Sequence, residues 1–184
     1  ETCHKYGLYL FLDGARLGYG LAAPDNDLTL PEIAALCDVF YIGGTKVGAL
    51  FGEAVVIKNP ELAQDFRYLI KQNGGMLAKG RLLGLQFDAL FTDGLYQEIS
   101  AHAIAMAEKL REAFTAKGYN YLAPNRTNQI FVIVPDAHLA KISEQFEYSY
   151  DQRIDATHSC VRFCTSWATK EENVDALIRC VEKL

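Results

Sequence analysis

The unbroken apolar run Leu8-Tyr9-Leu10-Phe11-Leu12, which stops at Asp13-Gly14, constrains the fold more than any other feature of this chain. A run of strand length with no polar alternation suits a central strand covered on both faces, where neither side of the pleat meets water. The sequence therefore predicts a buried strand from Leu8 to Asp13 that ends in a Gly-containing loop. Leu30 to Leu36 has a helical pattern, with Pro31 suited to a first turn. Asp38 to Ile42 reads as a second strand, broken by Gly43-Gly44-Thr45-Lys46, and Ala54 to Lys58 as a third. Pro60 and the periodicity of Leu62, Phe66, Leu69 and Ile70 then predict a helix.

Further along, a helix is expected from Arg81 to Phe91 and a long one from Leu95 to Lys117, stopping at Gly118. Strands at Gln129 to Val134 and Val161 to Thr165 follow, with helices at Ala137 to Phe146 and Lys170 to Lys183. The expected class is α/β. Residues 1–93 form one domain with a mostly parallel sheet, and residues 94–184 form a small αβ layer domain; the boundary lies near Thr92 to Gly94. The long helix is the expected link between them.

Half of the 184 residues are hydrophobic, enough to bury a core. The net charge of −5, with both signs mixed along the chain, offers no concentrated positive field for a nucleic acid. No apolar stretch approaches the roughly 20 residues that cross a bilayer, and none reads as a signal peptide. Five cysteines at scattered spacings suit reduced thiols in a cytoplasmic protein better than disulfides or a metal site. The four histidines, His4, His102, His138 and His158, lie far apart and read as structural or surface residues. His158 and Cys160 share one face of an extended segment, a weak signal for a thiol nucleophile without an orienting acid. A chain that enters a buried strand so early, without an initiator Met, is expected to be part of a longer polypeptide.

Chemistry concentrates at two strand ends. Asp13 follows the first strand, where open α/β sheets bind ligands, although an Asp before Gly also serves as a turn or cap residue. Lys46 follows the second strand through a Gly-rich turn, although a lone lysine is ordinarily a solvated charge. The two are 33 positions apart. If their strands are parallel neighbours, a carboxylate and an amine converge on one rim. That is the pair a pyridoxal cofactor needs: the amine condenses with its aldehyde, and the acid keeps its pyridine nitrogen protonated.

The stretch Phe11-Leu12-Asp13-Gly14-Ala15-Arg16 resembles the LDGAR signature of the threonine aldolase and β-eliminating lyase family, whose members have the aspartate aminotransferase fold. The resemblance implies that Asp13 pairs with the pyridine nitrogen and that Arg16 lies near the phenolic oxygen of pyridoxal 5′-phosphate. Thr45 and Lys46 match the hydroxyl residue and Schiff-base lysine. Lys71-Gln72-Asn73-Gly74-Gly75-Met76 is similar to the family's K-x-x-G-G-M loop, which approaches the cofactor phosphate of a neighbouring subunit. The family's next residue, Arg, is Leu77 here, which leaves Lys79 or Arg81 open for that contact. Val161-Arg162-Phe163-Cys164-Thr165 resembles the strand whose Arg grips the substrate carboxylate; Arg162 has a plain reading too, as an edge-strand charge paired with a helix carboxylate.

The likeness runs along nearly the whole chain but matches only the later half of a family member. It implies the C-terminal part of a pyridoxal-phosphate-dependent large domain plus the small domain. The missing N-terminal half would supply the phosphate cradle and the side chain that stacks on the ring. The implied activity is that of a low-specificity threonine aldolase, cleaving a β-hydroxy-α-amino acid such as threonine or allo-threonine to glycine and acetaldehyde. A homodimer or homotetramer is implied as well. An aminotransferase, a β-eliminating lyase, or a catalytically incomplete fragment with an interaction role are the alternatives.

Overall fold

The computed structural model describes residues 1–184 and divides into two compact units. The first comprises Glu1–Leu21 and Asn26–Ile99; the second comprises Ala22–Asp25 and Ser100–Leu184. The class is mixed α/β, as the sequence predicts.

The first unit contains α1 (Thr2–Lys5), β1 (Phe11–Leu12), α2 (Leu17–Leu21), α3 (Leu30–Leu36), β2 (Val39–Gly43) and β3 (Glu53–Ile57). After these come α4 (Pro60–Ala63), α5 (Phe66–Gln72), α6 (Arg81–Phe91) and the start of α7 (Leu95–Ala116). The sheet order is β1-β2-β3. β1 and β2 are parallel, with Phe11 opposite Val39 and Leu12 opposite Phe40, whereas β3 runs antiparallel to β2. Around the sheet, Tyr19, Phe40, Ile42, Val47, Leu90 and Tyr96 are buried.

Local signals explain several boundaries. Thr29 caps α3 through a reciprocal capping box with Glu32, and Pro31 fills its first turn. The single helix expected after Pro60 is two: Asn59 accepts the Glu61 N–H at 3.0 Å to start α4, and Asp65 at φ 58° breaks the chain before α5. An Asp tolerates that left-handed conformation better than most side chains.

One expectation needs correction. The run from Leu8 to Leu12 is not covered on both faces by this chain: Leu8 is 59% exposed, Tyr9 55% and Phe11 59%. β1 is paired along one edge only, and its regular strand shrinks to two residues.

The second unit takes most of α7, then β4 (Asn120–Tyr121), β5 (Gln129–Pro135), α8 (Asp136–Ile142), β6 (Ser149–Arg153), β7 (His158–Cys164) and α9 (Glu171–Glu182). Its sheet is antiparallel, in the order β4-β5-β7-β6. Ile130, Val132 and Val134 of β5 are completely buried and alternate with partly exposed neighbours. They pack with Val161 and Phe163 of β7 against Leu110 and Phe114 of α7, Ile142 of α8 and Leu177 of α9. The result is helices on one face of a sheet, a two-layer αβ arrangement.

No helix is long and apolar enough to cross a membrane. No group of three or more His, Cys, Asp and Glu side chains is placed to hold a metal ion.

Candidate active site

The parallel pairing of β1 with β2 decides where Asp13 stands. One step past the Leu12–Phe40 pair, the Tyr41 hydroxyl donates to Asp13 Oδ1. The Ala15 N–H donates to the same oxygen at 3.1 Å, closing a short turn of the Asx type. These two donors, the Tyr41 hydroxyl foremost, hold the Asp13 carboxyl below the usual carboxylate range, and the positive charge of Lys46 adds to the effect. Asp13 is therefore an exposed, ionised carboxylate. The same hydrogen bond is the largest cause that pushes Tyr41 up to about 12.

Two glycines let the loops that follow β1 and β2 meet. The Gly43 N–H donates to the Gly14 carbonyl at 2.9 Å. A Cβ on Gly14 would lie 1.7 Å from the Tyr41 carbonyl oxygen, and one on Gly43 would lie 2.4 Å from the Ala15 carbonyl oxygen. Only bare backbone fits such an approach.

Beyond Gly43 the chain turns tightly, with the N–H groups of Val47 and Ala49 donating to the Gly44 carbonyl at 2.9 and 3.0 Å. Glu53, at the start of β3, accepts the Gly44 N–H at 2.8 Å and the Thr45 hydroxyl at 3.4 Å. The buried Tyr19 donates its hydroxyl to the Lys46 carbonyl. The backbone of Lys46 is thus fixed while its side chain stays exposed, and its charge reaches Asp13. Arg16 lies partly exposed at the start of α2, where its carbonyl accepts the Gly20 N–H at 3.1 Å.

Asp13, Arg16, Thr45 and Lys46 therefore belong to two loops at one end of one sheet. Arg162 belongs to the second unit, on β7 opposite Phe131 and Ser149. Since Val161 and Phe163 point into the helical layer, alternation puts the Arg162 side chain on the other face of the sheet. Its Nη1 donates to Gln129 Oε1 at 3.3 Å, and its buried Nε has no partner. The plain reading of Arg162, an ion pair with a helix carboxylate, is not found; Gln129 is its neighbour instead. A cavity of about 330 Å³ borders Arg162 and Phe163 of β7, Tyr148 just before β6 and Ser149 at its start, and Leu110 and Val174 of the helices.

The remaining candidates differ in exposure. Lys71, Lys79 and Arg81 are exposed around the end of α5 and the start of α6, with Gly74 at φ 75° closing the helix. Cys160 is completely buried, and burial pushes its thiol up, which keeps it protonated. His158 does have an acid beside it, with Nδ1 3.0 Å from Asp155 Oδ1, yet that cannot make a nucleophile of a sealed thiol.

Sequence reasoning missed Tyr41, Glu53, Tyr19 and Tyr96. Alternation along Val39-Phe40-Tyr41-Ile42-Gly43 does place Tyr41 with Gly43 on one face, but only the register with β1 makes it a neighbour of Asp13.

No protein-family profile matches the chain. A low-specificity L-threonine aldolase of Pseudomonas sp. (strain NCIMB 10558) is 32% identical over 180 residues, which cover 96% of this chain and 50% of that protein. That of Pseudomonas aeruginosa is 30% identical over 179 residues, covering 97% and 51%. Among solved structures, threonine aldolase from Leishmania major superposes with a TM-score of 0.96 at 42% identity, over 99% of this chain and 53% of that one. A putative L-allo-threonine aldolase from Listeria monocytogenes, at a TM-score of 0.73 and 23% identity over 99% of this chain and 54% of that one, shares the fold. The chain spans about half the length of the curated relatives it matches. Its sequence and its backbone agree on one likeness: over nearly its whole length the chain is similar to about half of a threonine aldolase.

Proposed function

We propose that this chain is the lysine-bearing part of a pyridoxal 5′-phosphate-dependent aldehyde-lyase that splits L-threonine or L-allo-threonine into glycine and acetaldehyde. The observation that carries the proposal is the pair of strand ends where an ionised Asp13 and the exposed amine of Lys46 share one rim. The donor set fits the cofactor: an amine for its aldehyde, a carboxylate for its pyridine nitrogen, and glycines that let the two loops carrying them approach closely.

When bound, the cofactor supplies an electron sink for the carbanion left as the Cα–Cβ bond breaks. Lys46 Nζ provides the covalent attachment. Asp13 keeps a proton on the ring nitrogen by remaining ionised beside it. Arg16 is assigned to the phenolic oxygen of the cofactor and the Thr45 hydroxyl to the cofactor-facing loop. Arg162, with a buried donor lacking an acceptor, is assigned to the substrate carboxylate, which a planar guanidinium grips through two hydrogen bonds.

The ring-stacking side chain and the base for the β-hydroxyl proton are assigned to the half of the family's length that lies outside this chain. A dimer or tetramer that completes the site across subunits is part of the same proposal. Five unpaired cysteines suit a reducing, cytoplasmic setting.

The test is product analysis of the full-length protein loaded with pyridoxal phosphate and given L-threonine. Equal amounts of glycine and acetaldehyde support the reading. A keto acid with released ammonia, or an aminated cofactor, assigns the protein to a different reaction.

A further inference from the structure

Alternation puts Val39, Tyr41 and Gly43 on one face of β2, and the antiparallel register sets Tyr41 opposite Val55 and Gly43 opposite Glu53. On the other side, the parallel pair brings Asp13 beside Tyr41. The Tyr41 ring rests against Phe11, with centroids 6.1 Å apart and planes inclined by 41°. With the ring so placed, its hydroxyl reaches Asp13.

The decisive detail is which oxygen it meets. Oδ1 accepts both the Tyr41 hydroxyl and the Ala15 N–H, while Oδ2 accepts neither. A carboxylate with one donor can swing about its terminal torsion, which is a soft one, and exchange its oxygens. Two donors converging on the same oxygen remove that freedom.

We propose that Tyr41 is a positioning residue for Asp13, clamping Oδ1 so that Oδ2 is the oxygen presented to the pyridine nitrogen. The inference rests on reading this rim as the pyridoxal-phosphate site. The clamp acts in two ways. It fixes the line along which the ring nitrogen donates, and it stabilises the anionic carboxylate, so the shared proton stays on the ring and does not pass to Asp13.

The experiment is ¹⁵N NMR of the full-length holoprotein carrying ¹⁵N-labelled pyridoxal phosphate at neutral pH, compared with Tyr41→Phe. The variant keeps the ring that packs on Phe11 and removes only the hydroxyl. In the parent the resonance sits at the protonated position. In Tyr41→Phe it moves toward the unprotonated position, and the cofactor dissociates about tenfold more readily, the size expected for losing one hydrogen bond to a charged group. An unchanged resonance and affinity in Tyr41→Phe would overturn the positioning role and leave the site assignment standing. A parent protein that binds no cofactor, or shows no protonated ring nitrogen, would overturn both.

Discussion

The Tyr96 hydroxyl donates to the Gly43 carbonyl at 3.1 Å and accepts the Gly18 N–H at 3.0 Å, so one buried side chain from the start of α7 ties together the segments that follow β1 and β2. Burial is what pushes this hydroxyl up to about 12, which keeps its proton in place for the bond to Gly43. Removing it takes a hydrogen-bond partner from each of two buried backbone groups. Tyr96→Phe is therefore expected to cost about 1–3 kcal/mol, read as a lower urea midpoint with an unchanged slope. A loss of less than a few tenths of a kcal/mol would show that the tie carries no load.

The loops themselves depend on two missing Cβ atoms. Gly14→Ala must push a methyl group into the Tyr41 carbonyl, and Gly43→Ala must push one into the Ala15 carbonyl. Because both obstacles are backbone, neither can step aside as a flexible side chain would. Each variant is expected to lose at least about 1–3 kcal/mol and to bind pyridoxal phosphate poorly. Retention of parental stability and cofactor affinity in both would mean that the loops do not meet as described.

Tyr41 should ionise late. Its hydrogen bond to Asp13 pushes it up to about 12, from a usual value of 10.0, and the negative charges of Asp13 and Glu53 act in the same direction. The raised value means that the folded state favours the neutral phenol. This contribution to stability is complete below pH 10 and is lost as pH rises to about 12. The ¹³Cζ resonance of Tyr41 follows the titration. Asp13→Asn should bring the midpoint back toward 10, and a midpoint near 10 in the parent protein would contradict the hydrogen bond.

In the second unit, Arg162→Lys and Arg162→Ala should raise the KM for threonine by tenfold or more, with a smaller change in kcat. An ammonium cannot reproduce the two-pronged grip, and deletion removes it altogether. An unchanged KM in both variants would remove Arg162 from the site.

Much of this was legible in the sequence, for a physical reason: β5, α7 and α9 each bury one face, and burial leaves an apolar pattern. Asp13 and Lys46 were legible because glycines punctuate the strand ends that carry them. β6 was not, since Ser149–Arg153 is exposed at every position and carries no apolar signal. Nor was α2, whose sequence Leu-Gly-Tyr-Gly-Leu has poor intrinsic helix propensity and becomes helical with Leu17 and Tyr19 buried. Tyr41 escaped notice for another reason: its partner depends on which strand lies alongside and in what register, and local sequence does not encode that. The exposed stretch from Leu8 to Phe11 shows the converse, an apolar run that keeps the mark of a covered strand although no strand of this chain pairs with its free edge.

The central claim is that the Lys46 amine carries the cofactor, and borohydride reduction of the full-length holoprotein followed by peptide mass spectrometry tests it most directly. Reduction locks the imine into a stable bond, so the pyridoxyl mass should appear on the peptide containing Lys46 and be absent from Lys46→Ala. A pyridoxyl group on a different lysine, or on none, would contradict the account.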